Sequence, residues 1–345
     1  MWRSASRTLL IQVSAGCVLT CGLMLLVAGC GSPAESPVPD SAASSKSEKL
    51  RLAVIPKGTS HEFWRVVHAG AQAAAKEIGN IEIIWKGPET EADTAGQIAV
   101  VKNFITNRVD GIILAPNHSE SLVDVVAEAN AEHVPVVIFD SGLGKGARTV
   151  SYVATNNHRG GVLAGECLAE ALDHKGKVIL LRYKQGSEST EQREKGFLEA
   201  LAAEKGIEVL SSDQYAGTTT EEALAKATQL LNKYRDEVTG IFAVCEPNCN
   251  GVLQALVQTG MAGKVKFVAF DPSDALIRGL SENTVAGIVL QDPFEMGKQS
   301  VIALAGYLRG KPPESMISTG EYVATPANQN MPPYDRLLRP EQFGH

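Results

Sequence analysis

Residues 135–142 read PVVIFDSG and residues 266–273 read KFVAFDPS, so two apolar, strand-like runs both end at an aspartate, Asp140 and Asp271. A second pair of stretches, DGIILAPN (110–117) and TGIFAVCEP (239–247), precedes them at similar spacing. The offset is 129 residues from Gly111 to Gly240 and 131 residues from Asp140 to Asp271. A nearly constant offset between matching strands indicates one architecture that is repeated along the chain.

The segments between these runs have the spacing of amphipathic helices. In residues 62–78, Phe63, Val67, Gly70 and Ala74 recur every three or four residues and share one helical face. Strands predicted at 51–55, 81–85, 112–115, 135–139 and 150–153 alternate with such helices, which favours parallel sheets covered on both faces. The expected fold class is therefore α/β, with two similar doubly wound parallel-sheet lobes.

The final third of the chain has too few elements for a third domain. It predicts a helix (273–282), a strand (284–291), a helix (293–309) and a strand near 317–324, which would return to complete the two sheets. The chain would then cross between lobes near 153–156, 290–293 and 320–325 and form a three-strand hinge. The expected N-terminal lobe is 50–154 with 292–320, and the expected C-terminal lobe is 155–291 with 321–345.

The first thirty residues have the composition of an export signal. Arg3 and Arg7 are the only charges before an uncharged apolar run that ends in LVAGC (26–30). LVAGC resembles the lipobox of bacterial lipoproteins, which predicts a signal peptide over 1–29 and lipidation of Cys30. The alternative is an uncleaved membrane-spanning anchor, because about 20 apolar residues can cross a bilayer.

In either case the folded part is expected outside the cytoplasm, in the periplasm or on the outer side of the cytoplasmic membrane. Residues 30–49 are rich in Ser, Pro and Ala and predict a disordered tether. The formal charge of the chain is −7, and loss of the two signal arginines makes it −9. This acidic balance gives no electrostatic reason to expect a nucleic-acid partner.

Three cysteines fall in the folded part: Cys167, Cys245 and Cys249. An oxidising compartment permits a disulfide between Cys245 and Cys249, and two free thiols are the alternative. Cys167 lies in an apolar helical pattern, where a buried thiol is expected. A zinc site at CEPNCNG (245–251) would need further ligands of fitting spacing, which the sequence does not offer. No metal and no other cofactor is therefore expected.

Polar residues follow the apolar runs where the predicted strands end, and ligands of open parallel sheets bind at that edge. Their mixture of carboxylates, amides and donors suits a polyol, because each hydroxyl both donates and accepts. Phe63 and Trp64 add flat apolar surfaces; Trp64 lies off the apolar stripe and is the better stacking candidate, whereas Phe63 could equally be core. The candidate ligand-binding residues are Lys57, His61, Phe63, Trp64, Asp140, Ser141, Cys245, Glu246, Asp271 and Gln291.

The motifs FWRVVHAGAQAAAKE, VDGIILAP, PVVIFDSG, QREKGF, TGIFAV, FVAFD and AGIVLQDP occur in this order between residues 50 and 325. In this combination the chain resembles the ribose-binding protein family, the type I periplasmic sugar-binding proteins of ABC importers. The resemblance implies that fold and adds Arg193 to the candidate ligand-binding residues. Lys57, His61, Ser141 and the pair Cys245-Glu246 differ from the residues of ribose binders, so these positions are expected to select the ligand.

The leading interpretation is a monomeric, lipid-anchored solute-binding protein that closes two lobes on a monosaccharide or sugar-like polyol and delivers it to an ABC permease. A sensor that presents a sugar or signal molecule to a membrane receptor is the alternative. An enzyme that uses His61 with Asp140 or Asp271 is more remote, because the GxGxxG, GxxxxGK[ST] and GxSxG patterns do not occur at the required places. No catalytic residue is therefore expected.

Overall fold

A computed structural model describes residues 49–339 of the chain. The predicted signal peptide, nearly all of the predicted tether and Cys30 lie outside the described residues.

The strands and helices are numbered in chain order. The strands are β1 (Leu50–Ile55), β2 (Ile81–Trp85), β3 (Gly111–Leu114), β4 (Val136–Phe139), β5 (Tyr152–Ala154), β6 (Gly176–Leu181), β7 (Ile207–Ser211), β8 (Gly240–Ala243), β9 (Lys266–Phe270), β10 (Gly287–Leu290), β11 (Met316–Ser318) and β12 (Tyr322–Ala324). The helices are α1 (Glu62–Ile78), α2 (Thr94–Thr106), α3 (Val123–Ala131), α4 (Asn157–Ala171), α5 (Glu188–Ala202), α6 (Thr220–Lys233), α7 (Glu246–Gln258), α8 (Asp274–Ser281), α9 (Pro293–Leu308) and α10 (Tyr334–Leu338).

Within residues 49–339 the strands form two six-stranded sheets of matching order. The first runs β11-β5-β4-β3-β1-β2 and the second runs β12-β10-β9-β8-β6-β7. Every strand pair is parallel except β10 with β12, which is antiparallel. The sequence-based prediction of two similar α/β lobes with parallel sheets is therefore confirmed.

The central strands are apolar along their whole length because both of their faces are covered. All residues of β3 (GIIL) and β4 (VVIF) are buried, which is typical of parallel strands between two helical layers. One core cluster of the first lobe packs under α1 and α9 and contains Val67 and Leu304. The other lies under α2 and α3 and contains Val101 and Val126.

The chain passes between the two sheets three times: after β5, after β10 and after β11. The prediction of a single strand near 317–324 is wrong. This segment forms two short strands, β11 in the first sheet and β12 in the second. Between them Gly320 has a φ of +82°, a left-handed conformation that glycine adopts without steric cost and that turns the chain toward the second sheet.

Candidate functional site

The carboxyl ends of the strands of both sheets surround one cavity. All of the predicted ligand-binding residues except Ser141 line it. The lining residues are Lys57, His61, Phe63, Trp64, Glu91, Asp140, Tyr183, Ser189, Thr190, Arg193, Cys245, Glu246, Pro247, Asp271 and Gln291.

The two repeated aspartates hold equivalent positions and share an uncommon backbone conformation. Asp140 follows β4 with a φ of 60°, and Asp271 follows β9 with a φ of 69°. Few side chains adopt this left-handed region, although aspartate does so more readily than most. Both carboxylates are buried. The repeat in the sequence therefore places one carboxylate on each wall of the cavity.

Lys57 is the cation beside Asp140. Its Nζ lies 2.8 Å from Asp140 Oδ2 and donates a hydrogen bond to Ser189 Oγ of the second lobe at 2.9 Å. Both members of the ion pair are buried, so the pair depends on its close geometry and on the additional hydrogen bond. Ser141 does not line the cavity; its Oγ accepts a hydrogen bond from the backbone N–H of Ser189 at 3.1 Å.

Glu91, which sequence reasoning missed, is the centre of the polar contacts on the first-lobe wall. Its Oε1 accepts a hydrogen bond from Trp64 Nε1 at 2.9 Å and lies 3.1 Å from His61 Nδ1. Its Oε2 accepts from the Tyr183 hydroxyl of the second lobe at 2.8 Å. Burial alone would raise the pKa of Glu91, but the hydrogen bond and charge of His61, with smaller effects from Lys57 and Trp64, hold it at about 2.

His61 occupies the N-cap position of α1, but its side chain does not cap the helix. Burial acts to lower the pKa of His61, while the hydrogen bond and charge of Glu91 raise it above its usual value, aided by Glu246 and Asp271. The imidazole is therefore disposed to carry a positive charge next to Glu91. This arrangement orients the ring and positions it at the edge of the cavity.

Of the two adjacent aromatic residues, Trp64 is more deeply buried than Phe63, which is the reverse of what the apolar stripe of the helix predicts. The expectation that Trp64 lies off the buried face is wrong, because Trp64 is only 3% exposed. It packs edge-on against Phe139, with ring centroids 6.0 Å apart, and its indole N–H finds a buried acceptor in Glu91. Phe63 is partly buried and packs edge-on against Trp64 at 4.9 Å. Phe63 is therefore the more accessible flat surface.

Arg193 and Asp271 meet on the second-lobe wall. Arg193 donates through Nε to Asn157 Oδ1 and through Nη1 to the carbonyl of Val244, both at 2.9 Å. Its guanidinium carbon lies 3.8 Å from the centroid of the Phe270 ring, a cation–π arrangement. The shortest distance from Arg193 Nη1 to Asp271 Oδ2 is 3.8 Å, so the ion pair is loose.

The two acids of this wall, Asp271 and Glu246, have raised pKa values, which favour their neutral forms. Burial raises the pKa of Asp271, against the opposing effects of Arg193 and of a hydrogen bond from Gln291. Burial also raises the pKa of Glu246 to about 7; the charge of His61 opposes this shift and that of Asp271 adds to it. Two carboxylates with too little positive charge between them cannot both ionise freely.

The predicted disulfide between Cys245 and Cys249 is not formed, and both thiols are free. Cys245 is the N-cap residue of α7, and its Sγ contacts Asn248 Oδ1 at 2.9 Å. Cys249, one turn later, points into the core, where its Sγ contacts the carbonyls of Ala243 and Phe270 at 3.3 and 3.4 Å. Burial raises the pKa of the Cys245 thiol well above its usual value, which keeps it unreactive.

Backbone and side-chain contacts also join the two lobes around the cavity. The N–H of Gly142 donates to Glu188 Oε2 at 2.9 Å, and the N–H of Ser119 donates to the carbonyl of Gly186 at 2.8 Å. Together with the bonds from Lys57 to Ser189 and from Tyr183 to Glu91, they hold the lobes in contact. The cavity is therefore enclosed by both lobes.

Within residues 49–339, no group of three or more His, Cys, Asp and Glu side chains is placed to hold a metal ion. None of the helices in that range is both long and apolar enough to cross a bilayer.

Tyr183 follows β6 and could have been found by the same strand-end rule that selected Lys57 after β1. Glu91 lies six residues beyond the end of β2, too far along the loop for that rule to place it.

Comparisons with known proteins agree with this geometry. A family described as periplasmic binding protein domain matches residues 52–312. The ribose import binding protein of Haemophilus influenzae is 29% identical over 80% of this chain and 91% of its own length. The D-ribose/D-allose-binding protein of Pseudomonas aeruginosa is 30% identical over 77% and 85%. An ABC transporter solute-binding protein of Agrobacterium vitis, solved with D-fucose, has a TM-score of 0.81 at 31% identity over 84% and 99%.

Proposed function

The chain belongs to the periplasmic binding protein family, and we propose that it captures a monosaccharide or sugar-like polyol between its lobes and delivers it to an ABC importer. The observation that carries the proposal is the cavity between the strand ends of both sheets, lined by mixed donors, acceptors and an accessible Phe63. Sugar hydroxyls need both kinds of partner. The sugars bound by the relatives and the solved neighbour support the same ligand class.

The mechanism needs no covalent step. The three chain segments after β5, β10 and β11 pass from one sheet to the other, and in this proposal they act as the hinge. A ligand that contacts Asp140 on one wall and Asp271 on the other stabilises the closed form, since it can make both sets of contacts only there. The closed protein is the form that the permease would recognise.

Binding should be measured by a thermal-shift screen of pentoses, hexoses, polyols and sugar acids on the purified full-length protein. At least one of these compounds is expected to raise the melting temperature. Asp271→Ala should abolish that shift while the melting curve without ligand stays cooperative, because it removes one wall contact. A full shift in the variant would overturn the two-lobe binding model.

The anchor and the location are part of the same proposal. Cys30 carries a lipid, and the folded part works outside the cytoplasm as a monomer. Growth with radioactive palmitate should label the unaltered protein and leave Cys30→Ser unlabelled, because the thiol that would carry the lipid is then absent. An unaltered protein that takes up no label would favour the membrane-spanning anchor instead.

A sensor that presents the bound sugar to a membrane receptor is the second candidate. It uses the same closed form, so the cavity supports it equally. Loss of sugar uptake in a strain that lacks this protein, with the response to the sugar retained, would favour transport; the reverse result would favour sensing. An enzyme that uses His61 gains no support, because Glu91 engages the His61 imidazole.

A further inference from the structure

We propose that the ligand is a polyol that carries a protonated amino group, with the ammonium against Glu246, Asp271 and Gln291. These three residues form what we call the acceptor wall of the cavity. The inference rests on the sugar-binding function proposed above and names the substrate class within it. It is carried by an excess of acceptors at one place in the cavity.

The cavity lining has more carboxyl groups than cationic side chains. Its four carboxyl groups are those of Glu91, Asp140, Glu246 and Asp271, and its Lys and Arg side chains are Lys57 and Arg193. Even with a protonated His61 there are three cationic groups for four acids, so one acid has no cationic partner when it ionises. A sugar acid would add a further negative charge and is disfavoured for that reason.

The cations on the first-lobe wall already have partners. Lys57 Nζ lies 2.8 Å from Asp140 Oδ2, and His61 Nδ1 lies 3.1 Å from Glu91 Oε1. Each of these pairs balances one carboxylate. The acid that lacks a cationic partner therefore lies on the second-lobe wall.

On that wall the acceptors outnumber the donors. Gln291 Nε2 donates to Asp271 Oδ1 at 2.7 Å, and the buried Gln291 Oε1 has no hydrogen-bond partner among the described residues. Arg193 approaches Asp271 only to 3.8 Å. Glu246 accepts from the backbone N–H of Phe63, and within residues 49–339 it has no ion pair with a cationic side chain.

An ammonium group matches this arrangement chemically. It has three N–H donors and no acceptor, whereas the acceptor wall offers two carboxylates and an amide oxygen. Hydrogen bonds between ionised partners are shorter and stronger than those between neutral groups. A neutral hydroxyl would supply one donor and would leave the remaining acceptors in this wall unpaired.

Titration calorimetry on the full-length protein tests the inference with matched sugar pairs. The pairs are D-glucose with D-glucosamine, D-galactose with D-galactosamine and D-mannose with D-mannosamine, and the N-acetyl derivatives control for bulk without charge. We expect an amino sugar to bind at least about tenfold more tightly than its neutral and N-acetyl counterparts. Neutral sugars that bind as tightly or more tightly would overturn the inference and leave the sugar-binding function standing. If neither these pairs nor the wider thermal-shift screen shows binding, both proposals fail.

Glu246→Gln should remove most of the preference for the amino sugar and change the affinity for the neutral sugar far less. Asp274→Asn makes the same change of charge at an exposed position of α8 and should keep the preference. A preference that survives in Glu246→Gln would overturn the role of the acceptor wall.

A measurement on the unaltered protein gives an independent test. At pH 7 Glu246 is partly protonated, because its pKa is about 7. An ammonium ligand favours the ionised carboxylate, so its binding should release protons, whereas a neutral sugar should release fewer. Calorimetry in two buffers of different ionisation enthalpy measures the number of protons that are released on binding. Equal proton release for both ligands would contradict the inference.

Discussion

Glu91 shows how one buried acid can organise a site. Its two oxygens accept hydrogen bonds from Trp64 and Tyr183 and contact His61. A carboxylate in such surroundings is stable only when its acceptor positions are filled and a positive charge is near. Glu91 therefore fixes the position of side chains from both lobes at once.

Glu91→Gln should lower the free energy of unfolding by up to about 3 kcal/mol at pH 7, since the folded-state pKa near 2 lies well below the ordinary 4.5. The stabilisation by this carboxylate is present above pH about 4.5 and is lost as the pH falls towards 2. Urea unfolding of both proteins at pH 7 and pH 3 should therefore show roughly half the difference at the lower pH.

Glu89→Gln, an exposed change in the same loop, is the control and should cost less than about 0.5 kcal/mol. An equal loss of unfolding free energy for Glu91→Gln at both pH values would contradict the role of the ionised carboxylate.

The contribution of His61 to the free energy of unfolding has the opposite pH dependence. Its raised pKa gives stabilisation that is present below pH about 6.5 and is lost as the pH rises through the folded-state value.

Each lobe contains one helix pair in which two glycines allow the backbones to touch. In the first lobe, a Cβ on Gly70 of α1 would lie 2.0 Å from the Phe294 carbonyl oxygen, and a Cβ on Gly297 of α9 would lie 2.0 Å from that of Val67. In the second lobe Gly161 of α4 and Gly196 of α5 have the same relation to backbone oxygens of the facing helix. The repeat therefore extends from the strands to the closest helix contacts.

Gly297→Ala should reduce the free energy of unfolding by about 3 kcal/mol, because the added methyl group meets backbone atoms and the helices must separate. Gly306→Ala on the same helix is the matched control. Its nearest contact would be the Lys311 carbonyl oxygen at 3.3 Å, so the helix propensity of alanine should keep the change within about 1 kcal/mol. Equal effects of the two variants in chemical unfolding would contradict the close-contact argument.

At the scale of the whole molecule, the lobes are held together by few but direct hydrogen bonds around the cavity. Tyr183 donates across the cleft to Glu91 at 2.8 Å, and Lys57 donates to Ser189 at 2.9 Å. Each bond joins one lobe to the other, so it requires the two walls of the cavity to lie this close together. Together, the free energies of these hydrogen bonds contribute to the equilibrium between open and closed forms, on which ligand affinity depends.

Tyr183→Phe should weaken ligand binding about tenfold, because closure then buries Glu91 Oε2 without its donor, which costs roughly 1–3 kcal/mol. Small-angle scattering of the ligand-free protein should show a larger radius of gyration than for the unaltered chain. Tyr307→Phe removes a hydroxyl from an exposed position and should change neither quantity. Unchanged affinity in Tyr183→Phe would mean that this bond does not contribute to closure.

Strand-end positions were the part of the site that sequence reasoning could predict. Asp140 and Asp271 follow equivalent parallel strands, and the edge at which such strands end is common to the whole sheet. Glu91 could not be placed in this way, because the path of the loop after β2 depends on contacts that are remote in sequence. The burial of Trp64 depends on the same loop, since its indole N–H needs Glu91 as acceptor.

The amino-acid pattern alone predicts two similar lobes in which strands alternate with helices, because a strand buried on both faces must be apolar throughout and this pattern recurs at a nearly constant offset. Which side chains meet depends on how the chain folds in three dimensions. The thiols of Cys245 and Cys249 are four residues apart but point to different surroundings. Glu91 and Tyr183 are 92 residues apart and share a hydrogen bond. Side-chain pairing depends on direction and burial in three dimensions, which spacing along the chain does not encode.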